Sequence, residues 1–223
     1  MRPTSALLRK ELRLEWRTRE AVPAMALFSV TTFVVFHFGL QKDTVDGALA
    51  AGILWVTLLF AAMLGANRLF VADTEGGALE GILLAPIDRT ALYVSKAIAF
   101  AGFLAIVELV AVPAFYLLLL GPSAGGAVLP LLAVLLLADA GIALTGTLVA
   151  GLATQTRARD LLVSLIGLPL LLPVIIASAR ATTPLVAAGG AQDLPGKWLL
   201  VLGLYDVIIG LIAIAVFDFL LED

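Results

Sequence analysis

The sequence predicts an all-α integral membrane protein with six transmembrane helices. Apolar residues make up 61% of the chain and charged residues only 14%, whereas a soluble domain carries about a quarter charged residues. Six apolar runs are long enough to cross a hydrocarbon core about 30 Å thick as helices. These runs cover 21–40, 49–66, 91–120, 128–153, 161–179 and 198–221. Without an internal repeat or a second domain, we expect 1–223 to form one transmembrane domain.

Residues 1–20 precede the first run and carry the pattern of an interfacial amphipathic helix. Apolar residues recur at every fourth position, and three arginines follow the same spacing on a neighbouring face: Leu8, Leu12 and Trp16, then Arg9, Arg13 and Arg17. Such a helix lies along the membrane surface, where its arginines can contact anionic headgroups. Two interpretations remain open, an anchor that fixes topology and a contact surface for a partner.

Basic residues beside the apolar runs predict the orientation of the chain. The amino-terminal segment and the second and fourth connections hold most of the lysines and arginines. Because basic loops remain in the cytoplasm, we expect both termini to be cytoplasmic. The first run is full length and lacks a small-residue cleavage site, so we expect it to remain attached as a transmembrane helix.

Composition also excludes several classes of function. The chain has no cysteine and one histidine, so we expect neither a metal site nor a cysteine nucleophile. A nucleotide-binding loop of the G-x-x-x-x-G-K-[ST] type is also missing, so the chain cannot hydrolyse ATP alone. The slightly negative net charge gives no indication of a nucleic-acid partner. We therefore expect a non-catalytic membrane subunit.

The second connection carries the most specific pattern. Gly76 and Gly77 interrupt the helix, apolar residues return at helical spacing, and Pro86 prevents continuation. We expect a short surface helix over 78–84 whose exposed face offers Glu80, with Asp73 and Glu75 just upstream. This surface could dock a partner, although short loop helices also merely cap helix bundles.

Three carboxylic acids fall inside apolar runs, where an ionised group costs a few kcal/mol. For Glu108 and Asp139 we favour a structural hydrogen bond between helices over a proton pathway, and for Asp206 we expect an interfacial position. His37, flanked by two phenylalanines, is a weak candidate for a haem ligand. The alternative for His37 is a contact with water or a backbone carbonyl.

The chain resembles the haem exporter protein B (CcmB) family of permeases from bacterial cytochrome c maturation. The resemblance extends from the amino-terminal helix to the prolines of the fifth run, and its central motif is Gly52-Ile53-Leu54-Trp55, Arg68-Leu69-Phe70, Asp73, Gly77, Leu79-Glu80, Leu83-Leu84, Pro86 and Lys96. It implies an ABC-2-type permease architecture. It further implies that a cassette ATPase docks on a coupling segment, 73–86, with these coupling residues: Arg68, Asp73, Gly77, Leu79, Glu80, Leu83 and Pro86.

The resemblance also implies partners and a location. The expected partners are an ATPase of the CcmA type, membrane proteins of the CcmC and CcmD types and a haem chaperone of the CcmE type, with two copies of this chain per complex in the bacterial inner membrane. ATP would bind the partner, and haem would be cargo rather than a cofactor. Three alternatives remain: an exporter of another substrate, a mechanical scaffold without transport, and a proton-coupled transporter.

Overall fold

The computed structural model describes residues 2–42, 44–75, 89–121, 128–154, 156, 158–187 and 192–220. Every regular element within these ranges is helical, which confirms the predicted all-α class. In chain order the helices are α1 (Arg2–Thr18), α2 (Ala21–Leu40), α3 (Gly47–Arg68), α4 (Val71–Glu75), α5 (Arg89–Phe115), α6 (Val128–Ala153), α7 (Arg159–Thr182) and α8 (Gly196–Leu220). A π turn, Tyr116–Leu120, extends α5, and a 3-10 turn, Thr183–Val186, extends α7.

Six of these helices, α2, α3 and α5 to α8, are long and apolar enough to span a membrane. Helix α6 lies at the centre and packs against α3, α5, α7 and α8, while α3 also packs against α2 and α7. The neighbours bury most of α3, whereas α2 and α8 turn most of their apolar side chains outward. Outward apolar faces suit a bundle whose solvent is lipid.

The bundle is held together by close approach at small residues. The ring of Phe100 on α5 lies between two glycines, because a Cβ at Gly65 of α3 would stand 2.7 Å from Cε2 and one at Gly146 of α6 would stand 2.8 Å from Cε1. Membrane helices use small residues in this way, since lipid supplies little hydrophobic drive for association. One aromatic side chain thus fixes α5 against α3 and α6.

A buried hydrogen bond joins α3 to α7. The indole Nε1 of Trp55 donates to the hydroxyl of Thr182 at 2.9 Å, and both side chains are buried. A polar group in an apolar interior needs such a partner. The placement agrees with a packing role for Trp55.

Candidate functional site

Residues 67–74 run from the end of α3 into α4 and contact four other parts of the chain through polar groups. We call this segment the hub. Its partners come from α1, from the junction between α1 and α2, from the start of α5 and from the start of α7: Lys10, Glu20, Lys96 and Arg159. The hub overlaps the predicted coupling segment at its first two residues, Asp73 and Thr74.

The most buried partner of the hub is Lys96 of α5, a side chain with 0% exposure. Its Nζ lies 2.6 Å from Oδ2 of Asp73 and 3.0 Å from Oε2 of Glu11, and it donates to the carbonyl oxygen of Leu69 at 2.7 Å. The same atom lies 4.5 Å from the centre of the Phe70 ring. Three acceptors match the three donors of an ammonium group, so the charge is buried with its hydrogen bonds satisfied.

Lys10 completes what we call the ion cluster: Lys10, Glu11, Asp73 and Lys96. Its Nζ forms a very short ion pair with Oδ1 of Asp73 and lies 3.6 Å from Oε1 of Glu11. Two lysines therefore face two carboxylates, and the formal charges cancel. Since α1, α4 and α5 each contribute at least one member, the cluster holds these three helices together.

Electrostatic effects favour the ionised forms of Lys10 and Asp73. Burial alone would raise the pKa of Asp73, but Lys96 and Lys10 outweigh it, and the pKa lies below its ordinary value. Burial alone would lower the pKa of Lys10, but its hydrogen bond to Asp73 and the attraction of the two carboxylates raise the pKa above its ordinary value. Both pKa shifts mean that folding favours the charged forms of Asp73 and Lys10.

Two weaker sets of contacts tie the hub to the starts of α2 and α7. Nη1 of Arg68 lies 2.8 Å from Oε2 of Glu20 at the start of α2, and both side chains are exposed. Arg159 at the start of α7 donates from Nη2 to the carbonyl oxygen of Asn67 at 3.2 Å and from Nη1 to the hydroxyl of Thr74 at 3.4 Å. Water and salt weaken such exposed pairs, so the buried ion cluster dominates.

Of the predicted coupling residues, Arg68 and Asp73 belong to the hub. Asp73, which we placed just upstream of the exposed docking face, is 2% exposed and pairs with two lysines. Any role of Asp73 in docking must therefore be indirect. The others lie outside the described residues: Gly77, Leu79, Glu80, Leu83 and Pro86.

The acids inside the spans fall into two groups. Glu108 of α5 and Asp139 of α6 form a side-chain hydrogen bond with each other, which requires a proton on one carboxyl group. Asp206 instead lies about 15 Å along α8 from Gly196. Its carboxyl group is packed against Gly141 near the middle of α6, a position that does not fit the expected interfacial one.

His37 lies near the opposite end of the bundle from the hub. Its Nδ1 hydrogen-bonds to the carbonyl oxygen of Leu118 in the π turn, so Nδ1 must carry the proton because a carbonyl only accepts. The next carbonyl, that of Leu119, accepts from the backbone N–H of Val45 at 2.7 Å. His37 therefore makes the backbone contact that we gave as the alternative to haem ligation.

Sequence reasoning did not identify Lys10, Glu20, Lys96 or Arg159 as parts of one site. The available signal was the isolated Lys96 just inside an apolar run, because a buried lysine requires a carboxylate partner. Asp73, near the start of the preceding connection, and Glu11, on the amphipathic helix, were among the possible partners. Their convergence depends on tertiary packing.

Comparison with known proteins gives consistent matches. A model of the family described as "CcmB protein" matches residues 2–220. "Heme exporter protein B" of Bradyrhizobium diazoefficiens is 32% identical over 96% of this chain and 96% of its own length. The proteins of the same name from Rhodobacter capsulatus and Paracoccus denitrificans are 35% and 34% identical over 78% and 79% of this chain and 80% of their own lengths.

Proposed function

Because the chain belongs to the CcmB protein family, we propose that it is the membrane permease subunit of an ATP-binding-cassette complex for cytochrome c biogenesis. In this role it couples ATP hydrolysis by a partner to haem delivery or to release of a haem-carrying chaperone. The names of the three relatives support a role in haem export. The observation that carries the coupling role is the hub, which overlaps the start of the predicted docking segment and contacts four other parts of the chain.

The proposed path of coupling begins at segment 73–86, where the ATPase binds. A displacement of this segment moves α4, and Asp73 passes the movement to Lys96 at the start of the third span. Ion pairs suit this step because a buried charge cannot leave its partner without a large penalty. Movement of α4 therefore reaches α5 and α1 together.

The packing around α1 supports this path. Helix α1 packs on α5, but a cavity of about 260 Å³ lies between α1 and the end of α3, lined among others by Leu14 of α1 and Gly65 of α3. Apolar contact is therefore incomplete on this side. On this side of α1, the ion cluster supplies the contact with the hub, through Lys10 and Asp73.

Purification of the tagged chain from native membranes in mild detergent tests the proposal. We expect a cassette ATPase to copurify with haem-handling membrane proteins and two copies of this chain, together with a haem absorption band. An ATPase without haem partners would point to another exported substrate. Absence of an ATPase would refute the coupling role.

A charge reversal tests the docking segment itself. In the complete complex, the ATPase activity of the partner should be stimulated by this chain. Glu80→Arg should abolish that stimulation without reducing the amount of chain in the membrane. Lys42→Glu is a matched control, because Lys42 is an exposed residue between α2 and α3 at the other end of the bundle. Normal stimulated activity in the Glu80 variant would contradict docking at this residue.

A further inference from the structure

Both acidic side chains of α1 lie on the face that contacts the rest of the protein. Glu11 pairs with Lys96 at 3.0 Å. The carboxylate of Glu15 accepts hydrogen bonds from the backbone N–H groups of Val22 at 2.8 Å and Ala21 at 3.4 Å. Both acids of this helix thus point toward the protein, where one is ion-paired and the other is hydrogen-bonded. Helix α1 has no acid left to neutralise its opposite face.

That opposite face carries Arg9, Leu12, Arg13, Trp16 and Arg17, and we call it the arginine face. All five side chains are exposed, Leu12 by 43% and Trp16 by 79%. Among the described residues, no carboxylate lies within ion-pairing distance of its three arginines. The face therefore combines unneutralised positive charge with exposed apolar surface.

The arginine face lies where the chain enters the bilayer. Helix α1 ends at Thr18, and the first membrane-spanning helix begins at Ala21. The guanidinium of Arg19, in the short turn between them, lies 5.8 Å from the centre of the Trp16 ring. Tryptophan and arginine together are typical of the headgroup region, where rings meet the apolar boundary and cations meet phosphate.

We propose that the arginine face binds anionic phospholipid headgroups in the leaflet along which α1 lies. Arginine recognises phosphate oxygens with paired N–H donors, and the apolar surfaces of Leu12 and Trp16 enter the acyl boundary. An acidic protein surface would neutralise the arginines but would have to cover Trp16 next to the lipid. Charge and apolar exposure together therefore favour lipid as the occupant.

Lipid binding has a consequence for the hub, and this consequence alone rests on the proposed function. The same helix supplies Lys10 and Glu11 to the ion cluster on its inner face. A membrane-bound α1 therefore acts as a fixed support against which α4 and α5 move. We expect coupling to weaken in membranes that lack anionic lipid.

Tryptophan quenching by brominated lipid measures the binding directly. The full-length protein in detergent is titrated with brominated phosphatidylglycerol or brominated phosphatidylcholine, and Trp16→Phe identifies the contribution of Trp16 among the three tryptophans. We expect phosphatidylglycerol to quench Trp16 at lower concentration, with an effect that decreases as salt is added. Equal quenching by both lipids would overturn the proposal.

Matched variants separate charge from fold. Replacing Arg9, Arg13 and Arg17 by glutamine should raise the half-saturating phosphatidylglycerol concentration about fivefold per arginine, or roughly a hundredfold in total. Replacing the same three arginines by lysine should preserve most of the lipid binding. Replacing Lys42 and Arg180 by glutamine is the control and should also preserve it. If the glutamine variant binds lipid normally but loses its ATPase in the pull-down, the face docks a protein and the proposal is wrong.

Discussion

Replacing Lys96 by methionine is the sharpest test of the ion cluster. Methionine keeps much of the length and apolar volume of the lysine stem but removes the ammonium group. Oδ2 of Asp73 and Oε2 of Glu11 then lose a partner at 2.6 Å and 3.0 Å, while Lys10 still pairs with Oδ1 of Asp73. The cluster is left with one excess negative charge in a buried position.

The size of the effect follows from that excess charge. Removing one partner of a buried ion pair costs about 3–5 kcal/mol, because the remaining charge is uncompensated. A second change, Glu11→Gln, removes the excess charge and should recover much of this loss. The double variant should therefore be more stable than Lys96→Met alone, although it has lost one more native side chain. Only pairing between these residues predicts that order.

Equilibrium unfolding in mixed detergent and dodecyl sulfate micelles, followed by helix circular dichroism, measures both variants. Lys42→Met is the control, since it also removes one lysine charge but from an exposed position; it should change the free energy of unfolding by about 0.5 kcal/mol or less. A loss below about 1 kcal/mol for Lys96→Met, or no recovery in the double variant, would refute a buried ion cluster.

Three further predictions concern the same unfolding measurement. Folding lowers the pKa of Asp73, so its ionised form contributes to the free energy of unfolding. This contribution should be complete above about pH 4, the pKa of an unfolded carboxyl, and should be lost as the pH falls through the lower folded pKa. Asp73→Asn should remove this acid dependence. Gly146→Ala would place a Cβ 2.8 Å from the ring of Phe100 and should cost about 1–3 kcal/mol, whereas Gly203→Ala, with nothing within 4 Å, should be close to neutral. Trp55→Phe removes a buried donor from a threonine hydroxyl and should cost at least about 1 kcal/mol; an unchanged free energy would contradict that bond.

The spans could be predicted from the sequence because bilayer thickness fixes the length of an apolar run. The first and fourth spans begin and end at the predicted residues, 21–40 and 128–153, and the others differ mainly at their ends. Helix α3 continues to Arg68, because an arginine in the last turn can reach the interface and favours the carbonyl end of a helix. Such end effects depend on local solvation, which a count of apolar residues does not capture.

The ion cluster could not be predicted in the same way, because its members are far apart in the chain. Glu11 and Lys96 meet only when α1 packs on α5, and nothing in either segment encodes that packing locally. From its neighbours in sequence, Asp73 could therefore be assigned only to the coupling segment, and its pairing with Lys96 was not predicted. The inward face of α1 was similarly hidden, since an amphipathic pattern does not tell whether lipid or protein covers each face.

The two faces of α1 explain why the helix contains both signs of charge. A helix that only anchored the chain would need basic and apolar residues, and Glu11 would weaken its attraction to anionic lipid. In the structure, Glu11 is 6% exposed and pairs with Lys96, so its charge is neutralised within the protein while the arginine face keeps its own. With these two faces, α1 can contact lipid through the arginine face while its inner face contacts the ion cluster. If the proposed coupling role and the proposed lipid contact both hold, a movement that starts at α4 is resisted by lipid on one side of α1 and passed to α5 on the other.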